Sequence, residues 1–357
     1  MLAREGDFIQ HKSNVIFDVK GLIHPENKVI AFPRYIPNPD GSRCSNGQSY
    51  GKVYSLADRF TFLQEHLPHL LLFDNVFGEI MCEVPVNEII QHFQPIEKIA
   101  HLRTEKPNNN ILDKKALQLA TDLQQIANIP WNTIGISGSI LAGLTTSTSD
   151  IDLLIYGTDN CHKTYTALQY MLKTGHPRLK AYTTEELYSL YEFRSKDTHM
   201  SFENFQQVEK QKAFQGMYQG TDYFIRFVKD WPELTEQYGD IHYNNAGYAK
   251  ITATISNATE ALFTPCTYQI EDVNTIKGPK LTPLKEISSF RGRFCEQAKN
   301  GEAITAQGKA ELVVNKKNGD KYYRLILGHK PDDYMILEQL NVTSLTPGHN
   351  NADNTLR

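Results

Sequence analysis

Two aspartates one residue apart, Asp150 and Asp152, follow a Gly138-Ser139 pair within the segment TIGISGSILAGLTTSTSDIDLLIYG (133–157). In Asp150-Ile151-Asp152-Leu153-Leu154-Ile155 the strand period of two sends both carboxylates to one face and Ile151, Leu153 and Ile155 to the core. Two like charges held together repel, and each raises the other's pKa unless a cation lies between them. A hard cation such as magnesium, which takes oxygen ligands, fills that role. Taken alone, the same pattern also describes a solvated strand end. Gly138-Ser139 follows a short apolar strand and opens a helix, where backbone N–H groups and the Ser139 hydroxyl can point at an anion and glycine lets a phosphate come close. Taken alone, that pair also reads as punctuation and a cap. The intervening ILAGLTTSTS is long enough for one short helix and a turn that returns to a neighbouring strand. In that order the two features describe a metal beside a polyphosphate pocket.

The surrounding chain supplies elements to hold such a pocket. Residues 113–128, DKKALQLATDLQQIAN, place Leu117, Ala120, Leu123 and Ile126 on one helical face; Pro130 stops the helix and TIGIS begins a strand. Beyond the motif the pattern predicts a helix from Lys163 to Lys173 ended by Gly175 and a second with a Thr183-x-x-Glu186 capping box. A third helix from Ser201 to Phe214 and a strand in DYFIRFV complete an α/β domain over 111–237. Upstream, VIFDVKGLI and KVIAFPRYI flank HPEN as a hairpin, with Pro33 at an edge or bulge. The stretch from Pro37 to Tyr50, rich in Pro, Gly, Ser and Asn, reads as a mobile loop, and SLADRFTFLQEHL as a helix capped by Ser55. The pattern weakens past Pro95, and EKPNNN (105–110) reads as a linker, so an N-terminal α+β domain is expected over 1–104. Downstream, KITATIS, FTPCTYQI, AELVVNK and KYYRLILG are short β-rich runs, the last two flanking Asn318-Gly319, a strong hairpin signal. A small β-rich domain, a barrel, is expected over 238–340, and a polar, disordered tail over 341–357.

Composition narrows the function. With 357 residues, 40% of them hydrophobic, the chain can bury a large core, while a formal net charge of -4 argues against coating nucleic acid through one uniform positive field. No apolar stretch approaches the ~18 residues of a bilayer span, and MLAREGDFIQHKSN lacks a secretory apolar run, so a cytoplasmic protein without membrane partners is expected. Cys44, Cys82, Cys161, Cys266 and Cys295 lie far apart without a C-x-x-C pair, which supports neither a zinc knuckle nor a disulfide framework. Cys161-His162 reads as packing and surface residues.

The string Ile136-Ser137-Gly138-Ser139, a short helix, then Asp150-Ile151-Asp152-Leu153 resembles the motif of the DNA polymerase β-type nucleotidyltransferase superfamily. The tight motif covers about 20 residues and the fold resemblance roughly 111 to 230. More loosely, IFDVKGLIHP, QGTDYFIR and SFRGRFCE resemble an uncharacterised group of archaeal nucleotidyltransferases. The resemblance implies a polymerase β-type core, a mixed sheet with helices, flanked by the two outer domains. It implies transfer of NMP from an NTP to a hydroxyl acceptor with release of pyrophosphate, the acceptor being most plausibly an RNA or DNA end. Protein-hydroxyl or small-molecule acceptors and a catalytically inactive nucleotide-binding module are the alternatives. It also implies a third carboxylate on a later strand, for which Asp222 is the candidate and Asp230 the reserve. Two magnesium ions, or manganese, are implied: Asp150 bridging both, Asp152 completing the triphosphate-bound ion, and Asp222 with Asp150 holding the other. Gly138 and Ser139 would hold the β,γ-phosphates. Arg226, on the Asp222 strand face by period two, is the preferred further phosphate ligand. Lys210 and Lys212 either assist it or lie on a solvated helix face. Arg291 and Arg293, beside Phe290 and Phe294, suit either a nucleic-acid contact or a barrel rim. Lys28, Arg34, Arg43, Lys52 and Arg59, interspersed with acids, read as solvated surface.

Overall fold

The computed structural model describes residues 1–105 and 110–338. Most of the expected linker and the whole 341–357 tail lie outside them. The described chain is mixed α/β, with three sheets and seven α-helices.

The first sheet contains β1 (Phe8–His11), β2 (Ile16–Val19), β3 (Lys28–Pro37), β4 (Arg43–Ser45) and β5 (Gln48–Lys52), followed after helix α1 (Leu56–His66) by β6 (Leu71–Asp74), β7 (Glu79–Pro85) and β8 (Ile89–Phe93). Its order is β4-β5-β3-β2-β1-β8, with β7 also on β3 and β6 on β7. The expected β2–β3 hairpin is present. Its register slips between Ile16↔Tyr35 and Phe17↔Pro33, so Arg34 is the extra residue of a bulge beside Pro33, and a bulge turns its side chain out of the regular alternation. The stretch 37–50, read from composition as a mobile loop, is instead the β4–β5 hairpin, because Asn46 and Gly47 both take the positive φ that a tight hairpin turn needs. Ser55 caps α1 as expected, accepting from the Asp58 N–H at 3.0 Å.

The second sheet is built from α2 (Pro95–Thr104), α3 (Ile111–Ala127), β9 (Ile134–Ile136), α4 (Gly138–Ala142), β10 (Ile151–Tyr156), α5 (Thr158–Thr174), β11 (Leu179–Lys180), α6 (Thr184–Arg194), α7 (Phe202–Glu209), β12 (Gln215–Tyr218) and β13 (Thr221–Val228). Its order is β11-β12-β13-β10-β9, and only β10 and β13 run parallel. Helices α3 and α5 cover one face over a core containing Leu119, Leu123, Ile151, Leu153, Ile155, Ile225 and Phe227. Helix α2, which lies where the sequence pattern weakens and within the expected N-terminal domain, packs on β9 and puts Ile99 and Leu102 into this core. Helix α7 ends at Glu209, short of Phe214, because Lys212, Ala213 and Phe214 turn inward to be buried ahead of β12.

The third sheet contains β14 (Ile241–Asn257), β15 (Cys266–Lys277), β16 (Leu284–Ser289), β17 (Ala303–Asn315), β18 (Lys321–Ile326) and β19 (Tyr334–Leu337). The pairings run β14-β15-β16-β18-β17 and back to β14, a closed ring in which only β16 and β18 are parallel. This is the connectivity of the five-stranded Greek-key barrel called the OB fold. Asn318-Gly319 lies in the β17–β18 turn, as expected.

The uncovered face of the central sheet receives the N-terminal unit: the Arg4 guanidinium lies 3.4 Å from the Tyr156 ring centroid, and Gly6 sits against Leu154. The barrel docks at the far end of β13, where the Thr264 N–H donates to the Phe227 carbonyl at 2.8 Å. The β6–β7 turn reaches the barrel as well, with Phe77 stacked on Tyr243 at 5.7 Å. Each unit therefore touches the other two, and the central sheet's free face becomes the wall of an interior junction.

Candidate active site

Strand β10 starts where the motif changes from polar to apolar. Ile151, Leu153 and Ile155 are buried under the helices, and Asp152 faces the other way. Beside it, the Ser137 N–H donates to the Asp152 carbonyl at 2.9 Å, which brings the entry to α4 against the carboxylate. Gly138 has φ +61°, and a Cβ there would collide with Asp152 Oδ2. Both the backbone conformation and the lack of room demand glycine. Residues fourteen and fifteen positions apart in the chain are thus in contact, and the Asp152 carboxylate lies at the Gly138 turn. The loop before Asp150 is fixed by Arg43, which is buried and donates to the Leu144 carbonyl and, at 3.4 Å, to Ser149 Oγ.

Parallel pairing of Ile151 with Tyr223 and Asp152 with Phe224 gives the two strands one register, and the preceding residues are Asp150 and Asp222. Asp222 is therefore level with Asp150 on the same sheet face, about one strand spacing of 5 Å away in backbone terms. Asp222 is exposed and accepts from the Tyr182 hydroxyl at 2.9 Å. Asp230, the reserve, is at the opposite end of β13, paired with Arg4 at 2.8 Å and accepting from the Trp231 N–H. It does not join the cluster.

Burial and then the Asp150 charge push the Asp152 carboxyl up to about 7, against opposing pulls from Lys52, Arg226 and Arg34. The charged form of Asp152 is disfavoured first by burial and then by Asp150, and a divalent cation bound between the two carboxylates would relieve both. Oxygen donors on adjacent strand mouths suit magnesium, and Asp150, Asp152 and Asp222 would hold it once their side chains converge; as they stand, the group among the described residues whose ligand atoms all lie within 4.8 Å of one another is His11, His69 and Glu88.

Around this acidic point stand cations that sequence reading left on the surface. Lys52 and Arg34, from β5 and the β3 bulge, act on Asp152 and lie 4.8 and 5.6 Å from the Tyr54 ring centroid. Neither has a carboxylate partner among the described residues. The interspersed acids Asp40 and Asp58 concealed them in the sequence; the one local signal was Pro33, whose expected bulge redirects Arg34. Arg226 faces the Asp152 side as expected, and pairs with Glu5.

Three further expectations end elsewhere. Lys212, 4% exposed, is bound to Glu209 Oε1 at 2.6 Å, the Arg293 carbonyl at 2.7 Å and Gln297 Oε1 at 3.0 Å, a buried tie between α7 and the barrel. Lys210 is exposed at the end of α7. Arg291 and Arg293 both grip Asp197, Arg291 at 3.0 Å, so they join the barrel to the α6–α7 loop rather than lining an open groove. Ser139 is 2% exposed, and its hydroxyl is sealed from solvent without a hydrogen-bond partner.

The uncharacterized protein MJ1086 of Methanocaldococcus jannaschii is 32% identical to the chain over 336 residues, covering 92% of this chain and 96% of that protein. The chain belongs to the family of that protein. No protein-family profile and no solved structure matches it. Because the match leaves so little of either chain outside it, the N-terminal sheet, the central unit and the barrel are all features of the family rather than additions in one member.

No helix among the described residues is long and apolar enough to cross a membrane.

Proposed function

We propose that the chain is a metal-dependent nucleotidyltransferase with a polymerase β-type core, transferring NMP from an NTP to a hydroxyl acceptor. The observation that carries this reading is the contact between the Gly138 turn and the Asp152 carboxylate, which joins a phosphate-approach point to a metal-binding acid. Magnesium, when bound, supplies charge neutralisation at the transferring phosphate and lowers the pKa of an attacking hydroxyl.

The chain's own residues supply orientation and counter-charge. Asp150 and Asp152 fix the acidic end, and Asp222, level with Asp150, faces the side from which an acceptor hydroxyl would approach. The Tyr182 hydroxyl donates to that carboxylate at 2.9 Å. Lys52 and Arg34 offer positive charge next to the acids without being cancelled by carboxylates, as a polyphosphate requires. Arg226, half-buried against Glu5, keeps a fixed charge under the same face. The Ser139 hydroxyl is sealed from solvent, so the β,γ-phosphates fall first to the backbone at Gly138 and to the N-terminal cations.

The acceptor we favour is a nucleic-acid end, and the support is the barrel's OB connectivity, a scaffold recurrently used for single strands. Arg291 and Arg293 are not part of that support, since Asp197 occupies them. Incubation with each labelled NTP, magnesium and total RNA, DNA or protein should label one acceptor class, and Asp150→Asn/Asp152→Asn should reduce labelling by at least about 1,000-fold. Label transferred to protein alone would discard the nucleic-acid acceptor. Magnesium-dependent NTP binding without product in any fraction would leave only a binding module.

A further inference from the structure

His11 ends β1, and it is 1% exposed, its ring packed edge-on against Phe17 at 6.1 Å between centroids. Both of its ring nitrogens meet polar groups: Nε2 lies 2.7 Å from Glu88 Oε2, and Nδ1 lies 2.7 Å from Ser13 Oγ. The His69 Nε2 faces the same Glu88 Oε2 at 3.3 Å. Three segments distant in sequence thus converge on one carboxylate oxygen, and the ligand-capable atoms of His11, His69 and Glu88 all lie within 4.8 Å of one another.

The backbone holds these three residues in place. The Lys12 N–H donates to the Glu88 carbonyl at 2.9 Å, which fixes the entry to β8 against the end of β1. There the register slips from Gln10↔Gln91 to His11↔Ile89, so Ile90 is the extra residue of a bulge, a device that re-aims neighbouring side chains. His69 sits in the turn Pro68–Leu70, anchored by the fully buried Leu70, with its own side chain half-exposed. Hydrogen bonding from His11 and then Lys12 holds Glu88 down to about 2, so the carboxylate is ionised. Lys12 reaches Oε1 at 3.0 Å and leaves Oε2 to the two imidazoles.

We propose that His11, His69 and Glu88 form a site for a zinc-class divalent cation that ties the end of β1, the turn after α1 and the entry to β8 to one another. Two imidazoles and one carboxylate are a recurrent zinc donor set that leaves a fourth position open, and imidazole nitrogen selects such cations over magnesium. A tetrahedral zinc holds its ligand atoms about 3.4 Å apart. That separation falls inside the spread found here, from 2.7 Å for His11 to Glu88 up to the 4.8 Å limit of the group. Binding needs the Nε2 lone pair of each imidazole, so a proton on Nε2 must leave or move to Nδ1. For His11 the acceptor of an Nδ1–H is ready in Ser13 Oγ, the outer-shell bond that fixes a ligating histidine. The Ser13 N–H, which faces Nδ1 at 3.1 Å, belongs to the opposite tautomer and is given up on binding. The site does not rest on the nucleotidyltransferase reading: its three residues belong to the N-terminal unit, whereas Asp150, Asp152 and Asp222 belong to the central sheet.

The full chain, stripped with EDTA and returned to chelator-free buffer, can be titrated with cobalt(II) as a spectroscopic probe. One equivalent should give the visible absorption of a nitrogen- and oxygen-ligated ion, displaced by zinc. His69→Ala and Glu88→Gln should each weaken cobalt binding at least about tenfold. Equal affinity in His69→Ala and the original chain would overturn the proposal. A thiolate charge-transfer band, which would put the ion on cysteine, would overturn it as well. Zinc should raise the Tm of the original chain relative to EDTA and that of His69→Ala much less. The zinc-induced shift is the readout, so a lost hydrogen bond to Glu88 is not mistaken for a lost ligand. Asp150→Asn/Asp152→Asn should keep the cobalt spectrum; its disappearance there would move the ion to the acidic point and defeat the assignment. A chain without transferase activity that still binds cobalt through His69 would end the nucleotidyltransferase reading and leave this site standing.

Discussion

Two buried charge clusters in this chain were built to opposite specifications. At the joint between α7 and the barrel, Glu209 accepts from Lys212 at 2.6 Å, from Arg194 at 2.7 Å and from Gln215, and Lys212 has two further acceptors. Every charge there has its complement. At the three-unit junction, Asp150 acts on Asp152, while Lys52 and Arg34 act on it without forming an ion pair among the described residues. The first cluster is complete as folded and explains itself as a structural tie. The second leaves one carboxylate next to another and two cations outside any ion pair, an arrangement that a divalent cation and a polyanion would complete.

The comparison makes its strongest demand at the complete cluster. Glu209→Ala strands two buried cations, so equilibrium unfolding should show a loss of about 3 to 5 kcal/mol, and neither magnesium nor phosphate should restore it. Rescue by either ligand would mean that the two clusters are one system. A smaller effect of opposite sign is expected at the unbalanced cluster. Asp152 holds its proton to about 7 in the folded chain and releases it near 3.8 when unfolded. Between those values the folded state binds more protons, so without metal the stability falls as pH rises through this window. Asp152→Asn should flatten the dependence and add on the order of 1 to 2 kcal/mol at pH 8 in EDTA. Denaturant midpoints from pH 4 to 8 would expose a flat profile in the original chain, which would deny the acidic excess. The smallest effect should come from Asp230→Asn. It removes a half-exposed pair with Arg4 and should cost roughly 0.5 to 1 kcal/mol with turnover unchanged. A large loss of turnover there would return Asp230 to the list of metal ligands.

Much of the fold was legible because it depends on local signals. Alternation in Asp150–Ile155 gave a strand with its acids on one face, Thr183 and Glu186 gave a capping box, and Asn318-Gly319 gave a hairpin. What misled was composition without geometry. The Pro, Gly, Ser and Asn content of 37–50 suits a loop and a tight hairpin alike, and only the partner strand β3 decides between them. Lys212 and Lys210 looked equivalent, yet the chain turns inward at Ala213 and buries one while exposing the other.

The sequence by itself determined that Gly138-Ser139 and Asp150-x-Asp152 would sit at neighbouring strand mouths, because strand period and connection length are local properties. Only the tertiary structure decided which cations meet those acids. Arg34 and Lys52 reach Asp152 because the N-terminal sheet packs on the free face of the central one, the face that also carries Arg226. Electrostatic partnership is set by distance and burial after folding, and neither can be read from spacing along the chain.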